Sequence, residues 1–60
     1  MYRFLGEFDC EADLADAIGS EKAAAVWGGK SNYFHHLETG FIFGVPDFMA
    51  DAIFDSGNVL

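Results

Sequence analysis

The sequence is poor in positive charge and has no long apolar run. Three basic residues stand against ten acidic ones, and the formal net charge is −7 over 60 residues. Such a balance repels polyphosphates and anionic lipid surfaces, so we expect no direct binding to nucleic acid or to a membrane. No apolar stretch approaches the roughly 18 residues that a transmembrane helix needs, and the first residues lack the apolar segment of a signal peptide.

Cysteine is almost absent, which excludes a disulfide within the chain and a zinc site of the usual Cys/His type. The single thiol, Cys10, fits a reducing compartment, so we expect a cytoplasmic protein, in the host bacterium if a phage encodes it. A core must come from apolar side chains alone, and 52% of the residues are hydrophobic and 17% aromatic. The sequence therefore predicts one folded domain, residues 1–60, in which Cys10 is a small core residue.

The periodicity predicts six elements in the order β-α-α-β-β-α. Residues 2–8 alternate as a strand, and a helix follows with Asp9 as its N-cap and Gly19 at its end. A second helix begins with Ser20 as its N-cap and stops at the glycine pair 28–29. Two β-prone runs, 33–37 and 41–45, flank a hairpin connection that ends in Gly40, and Pro46 opens the last helix. We expect an α+β fold with a three-stranded, mostly antiparallel sheet and helices on one face.

Acidic residues form two rows on the predicted helices. One row lies on the last helix at positions i, i+4 and i+8 (Asp47, Asp51, Asp55). It is opposite or beside an apolar face of Phe48, Met49, Ala52 and Ile53. The first helix carries another (Asp9, Asp13, Asp16), with Glu11 beside it. Each like-charge i,i+4 pair costs about 0.2–0.5 kcal/mol, and an aspartate in the last turn opposes the helix dipole. Side by side, the rows would form a broad electronegative face for a channel built to hold phosphates; an acidic surface that serves solubility alone is the alternative.

Catalytic or metal-binding constellations are weak. His35 and His36 are adjacent in a predicted strand, where their side chains point to opposite faces and cannot readily share a metal ion. The Gly28-Gly29-Lys30-Ser31 stretch ends like a phosphate loop, but Ala24 stands where that motif needs glycine. We therefore expect no enzyme activity, no cofactor and no metal.

In size, charge and lack of catalytic residues, the chain resembles small acidic anti-CRISPR and antirestriction proteins, the type I-C anti-CRISPRs of the DNA-mimic kind in particular. The resemblance implies stoichiometric blocking of a CRISPR effector complex through its basic, nucleic-acid-binding surface. It assigns no role to individual residues. We take the six aspartates of the two rows, together with Glu11, as the partner-binding surface and expect a monomer or weak homodimer. The alternative is an antitoxin-like or regulatory interaction module that binds through an exposed apolar sheet face around Phe34 and Ile42.

Overall fold

Six elements of secondary structure follow one another in the predicted order in a computed structural model that describes residues 1–60. They are β1 (Tyr2–Phe8), α1 (Glu11–Ile18), α2 (Ser20–Val26), β2 (Ser31–His36), β3 (Ile42–Val45) and α3 (Asp47–Asp55). The α+β class is confirmed.

The strands form one antiparallel sheet in the order β1-β2-β3, with β2 in the centre. Between β1 and β2 the register shifts by a bulge between Phe4 and Gly6. The hairpin between β2 and β3 closes with a hydrogen bond of 2.7 Å from the His36 N–H to the Phe41 carbonyl oxygen. Gly40 ends the connection with φ 78°, the left-handed conformation that the sequence predicts.

The central strand is buried on both faces, which corrects the expectation that all helices lie on one side. Tyr33 and Phe34 are adjacent in β2, point to opposite faces, and are both fully buried. Tyr33 packs with Leu14 of α1 and Ala23 of α2, whereas Phe34 packs with Ala50 of α3. The sheet therefore lies between α1 and α2 on one face and α3 on the other.

Tyr33 anchors the side of the sheet that α1 and α2 cover. Its ring stacks on Trp27 with centroids 5.8 Å apart and planes 11° apart. The hydroxyl accepts a hydrogen bond from the Gly28 N–H (3.1 Å) and donates one to the Gly29 carbonyl oxygen (3.0 Å). One side chain thus joins the core to the loop between α2 and β2.

The inward face of α3 differs from the predicted one. Ala50 is buried and Ile53 packs beside it, while Phe48 is 73% exposed and Met49 is 45% exposed. Phe54 lies with its ring 5.1 Å from that of Phe4 and 5.4 Å from that of Phe34. Apolar residues lie on every side of this short helix except the one with the acidic row, so the position of the sheet, and not the pattern, selects the buried side.

Helix starts also differ by one residue from the predicted ones. Cys10 and not Asp9 is the N-cap of α1, Gly19 precedes α2 so that Ser20 is its first residue, and Pro46 is the N-cap of α3. Strand β1 extends to Phe8, which pairs with Ser31, and Asp9 then lies in the bend before the helix. Cys10 is exposed, so the expectation of a core cysteine is wrong.

None of the helices has the length and apolarity to cross a membrane.

Candidate acidic interface

The acidic row of α1 lies along the solvent side of the helix. Asp13 and Asp16 are exposed, as are Asp9 and Glu11 at the start, because Leu14 turns the opposite side of the helix into the core. Lys30 lies 3.7 Å from Asp9, with both side chains mostly in solvent. An exposed pair of this kind contributes little energy. Lys30 balances one of the four carboxylates, so the row keeps a net negative charge.

The acidic row of α3 is also exposed, and no cation lies beside it. Asp47, Asp51 and Asp55 follow one another at helical spacing away from the buried Ala50. The ion pairs of the protein involve Glu38 and Asp9, so none neutralises this row. Phe48 lies among these carboxylates, because residues three and seven positions further along a helix share its side.

The two rows do not form one broad face, which corrects that part of the sequence interpretation. α1 packs on the Tyr33 side of the sheet and α3 on the Phe34 side, so the sheet separates the two rows. The separation follows from two adjacent aromatic residues in β2, each of which requires its own helix as cover. Two distinct acidic surfaces result, each on one helix.

Asp47 differs from the other carboxylates of its row because it also has a structural contact. Its Oδ1 accepts a hydrogen bond of 2.8 Å from Nδ2 of Asn32, and the same amide donates to the Val45 carbonyl oxygen at 3.3 Å. Asn32 is buried, so this contact fixes the start of α3 against the end of β3. Asp51 and Asp55 make no such contact and are free to meet a partner.

The exposed apolar sheet face expected around Phe34 and Ile42 is not present. Phe34 is fully buried beneath α3, and Ile42 is half-buried on the opposite face of the sheet. Large exposed hydrophobic side chains lie elsewhere, including Phe48 and Phe41, which is 64% exposed.

An open depression at the hairpin end of the sheet was not foreseen from the sequence. It has a volume of about 460 Å³ and is lined by Tyr2, His36, Thr39, Phe41 and Phe43. The alternation of Phe41 and Phe43 places both rings on one face and is the sequence signal from which such a depression could be predicted. His36 is held there by Thr39, with 2.7 Å between its Nδ1 and the hydroxyl oxygen.

No group of three or more His, Cys, Asp or Glu side chains is placed to hold a metal ion. Glu38 instead contacts the α-ammonium group of Met1 at 2.6 Å and Nε2 of His36 at 3.5 Å. The hydrogen bond from this ammonium lowers the pKa of the Glu38 carboxyl below its usual value of 4.5.

Comparison of the chain with models of protein families, with curated proteins and with solved structures gave no match.

Proposed function

We propose that the protein is a non-catalytic, stoichiometric inhibitor that occupies a basic, nucleic-acid-binding surface of another protein complex through the outer side of α3. The observation that carries this proposal is a row of three exposed carboxylates with no cation beside them, in a chain of net charge −7. The repulsion between these carboxylates destabilises α3, and a cationic partner would relieve that repulsion.

The spacing of this row sets how much of a nucleic acid it can replace. Four helical residues rise about 6 Å, so the three carboxylates span about 12 Å. One DNA strand carries a phosphate about every 3.4 Å, so the row supplies about one charge for every two phosphates. Only a few cationic groups of the partner would be neutralised, so we expect binding to weaken with salt less steeply than DNA binding does.

Phe48 adds an apolar contact that a nucleic acid backbone lacks. Its side chain is 73% exposed and lies beside Asp51 and Asp55 on the helix surface. Exposed aromatic residues at the centre of a patch are typical anchors of protein interfaces. The matching partner surface would hold a recess for the ring between basic side chains.

The resemblance noted above makes a type I CRISPR effector complex the first target to test. The assay measures binding of the complex to its target duplex while the protein is added in increasing amounts. We expect inhibition to saturate at a fixed stoichiometry. Direct binding of the protein to the complex, measured without the duplex, should weaken as salt is raised. A complex that binds its duplex equally well at every concentration of the protein would refute this target.

Two charge-matched variants test the surface. Asp51→Lys with Asp55→Lys reverses α3, and Asp13→Lys with Asp16→Lys makes the same change in net charge on α1, across the sheet. Exposed ion pairs contribute about 0.2–1 kcal/mol each, and the lysines also repel a basic surface. The α3 variant should therefore inhibit only at concentrations at least roughly tenfold higher. Asp47 is left unchanged because Asn32 binds it. Equal loss in both variants would show that net charge, and not the α3 surface, is responsible.

A second candidate is an interaction module in which the apolar side chains of α3 supply the affinity. The exposure of Phe48, Met49 and Phe54 favours it. Phe48→Ala then abolishes binding, while the charge-reversed α3 variant retains most of it and salt has little effect.

A further inference from the structure

The outer edge of β3 has unpaired main-chain groups. The His36 N–H donates to the Phe41 carbonyl oxygen one residue beyond the His35–Ile42 pair, so this is a hydrogen-bonding position of the antiparallel ladder, although the Phe41 N–H donates to the Thr39 hydroxyl oxygen. Such positions alternate along the ladder, which places the N–H and C=O groups of Ile42 and Gly44 away from β2. No turn, loop or side-chain hydrogen bond uses either residue's main chain.

The two edges of the sheet differ in their protection. At the β1 edge, Tyr2 pairs with the C-terminal segment, through hydrogen bonds of 2.6 Å to the Asn58 carbonyl and 2.8 Å from the Leu60 N–H. That strand also has a bulge after Phe4 and carries the charged residues Arg3 and Glu7. Charges, bulges and covering segments are the features that prevent strands from pairing with other chains.

Strand β3 itself has no charged residue, no bulge and no paired segment, and the charged side chain beside it is Lys22 of α2, which lines a depression with Phe41 and Ile42. Residues 39–46 are eight consecutive residues without a formal charge, in a chain whose acidic residues lie mainly on α1 and α3. Phe41 at the start of the edge is 64% exposed. No acidic residue therefore lies within β3 to repel a second copy, and the nearest ones along the chain are Glu38 and Asp47 at the two ends of this run.

We propose that β3 is a homodimerisation edge, at which a second copy pairs antiparallel to form one continuous six-stranded sheet. The register is self-complementary: Ile42 of each copy exchanges main-chain hydrogen bonds with Gly44 of the other. The Phe43 side chains then face one another across the two-fold axis. Ile42 lies opposite a residue without a side chain, which leaves room for it on the α2 side of the sheet.

The short strand limits the strength of this dimer. β3 has four residues and Pro46 follows it, so few hydrogen bonds form. We expect a dissociation constant of about 10 µM to 1 mM for the dimer. Sedimentation equilibrium over that concentration range should then give an average molar mass that rises with protein concentration. A single-chain mass over that whole concentration range would overturn the proposal.

Two matched variants locate the contact with recombinant protein. Phe41→Lys places a positive charge at the β3 edge, and Phe48→Lys makes the same change at an exposed ring on α3. We expect dimerisation to weaken at least tenfold in the first and to remain in the second. If Phe48→Lys removes the dimer and Phe41→Lys does not, the interface lies on α3 and the β3 edge is not used.

A main-chain change tests the hydrogen bonds themselves. Total synthesis allows Gly44 to be replaced by sarcosine, which removes the outward N–H without adding a Cβ atom beside Tyr33. Sarcosine at Gly29, whose surroundings are open, is the control. Loss of dimer in the first protein alone supports the proposal, and an unchanged dimer in both overturns it. If circular dichroism shows that the Gly44 analogue does not fold, the comparison of Phe41→Lys with Phe48→Lys decides whether the β3 edge is the interface.

Discussion

Gly44 is the position where one added methyl group most directly perturbs the core. A Cβ atom there would lie 2.8 Å from Cε1 and 2.9 Å from Cζ of Tyr33, and 3.1 Å from Cβ of Ser31. Carbon atoms in contact prefer about 3.5–4.0 Å, so either the ring or the strand must move in Gly44→Ala. The ring is fully buried, stacked on Trp27, and held by two hydrogen bonds at its hydroxyl.

The cost of this substitution is a large share of the stability of so small a domain. Overpacking a core by a methyl group costs about 1–3 kcal/mol. A single core of this size rarely supplies more than about 3–5 kcal/mol. We therefore expect Gly44→Ala to remove roughly a fifth or more of the free energy of unfolding.

Urea denaturation at low micromolar protein concentration, followed by Trp27 fluorescence and far-UV circular dichroism, measures the effect. With a slope of about 1 kcal/mol per molar urea, the midpoint should fall by roughly 1–3 M. Gly28→Ala is the control, because nothing lies within 4 Å of its Cβ position and its φ is not positive. We expect that variant to change stability by less than about 0.5 kcal/mol. Equal midpoints for the two variants would refute the contact as the cause.

Two further predictions concern polar contacts. Asn32→Ala should lower the free energy of unfolding by about 1–3 kcal/mol, since it removes the buried amide that donates to Asp47 and Val45. A double-mutant cycle with Asp47→Ala should show coupling above about 0.5 kcal/mol, and strict additivity would contradict the contact. NMR titration should place the pKa of Glu38 below 4.5, because the α-ammonium group of Met1 donates a hydrogen bond to it. The stabilisation of the folded state by this contact is present above the pKa of Glu38 in the unfolded chain and is lost as the pH falls through its lower pKa in the folded protein. Acetylation of the α-amino group should remove the pKa shift of Glu38.

The order and type of the elements were predictable because they depend on local chemistry. Strand β1 follows from alternating residues, and the β2–β3 hairpin follows from a glycine that adopts a left-handed φ at position 40. Both acidic rows were predicted as exposed helix surfaces, since a carboxylate at helical spacing outside the core must face water. Helix starts were displaced by one residue, because strand pairing to Phe8 fixes where α1 begins.

The relation between the two acidic rows was not predictable from periodicity. Tyr33 and Phe34 are adjacent aromatic residues in the central strand, and this is the signal that both faces need cover. This signal is ambiguous, because a strand with one buried face also accommodates an exposed aromatic residue. The inward side of α3 was ambiguous for a related reason, since Phe48, Met49, Ile53 and Phe54 lie round much of the helix.

The sequence by itself determined the class of fold, the six elements, the strong negative charge and the exposure of the carboxylates. The tertiary structure alone decided that α1 and α3 lie on opposite faces of the sheet, that Phe34 is buried, and that the outer edge of β3 is unpaired. The physical reason is that element type depends on residues within a few positions of one another. Which surfaces meet depends instead on where distant aromatic side chains can all be buried at once.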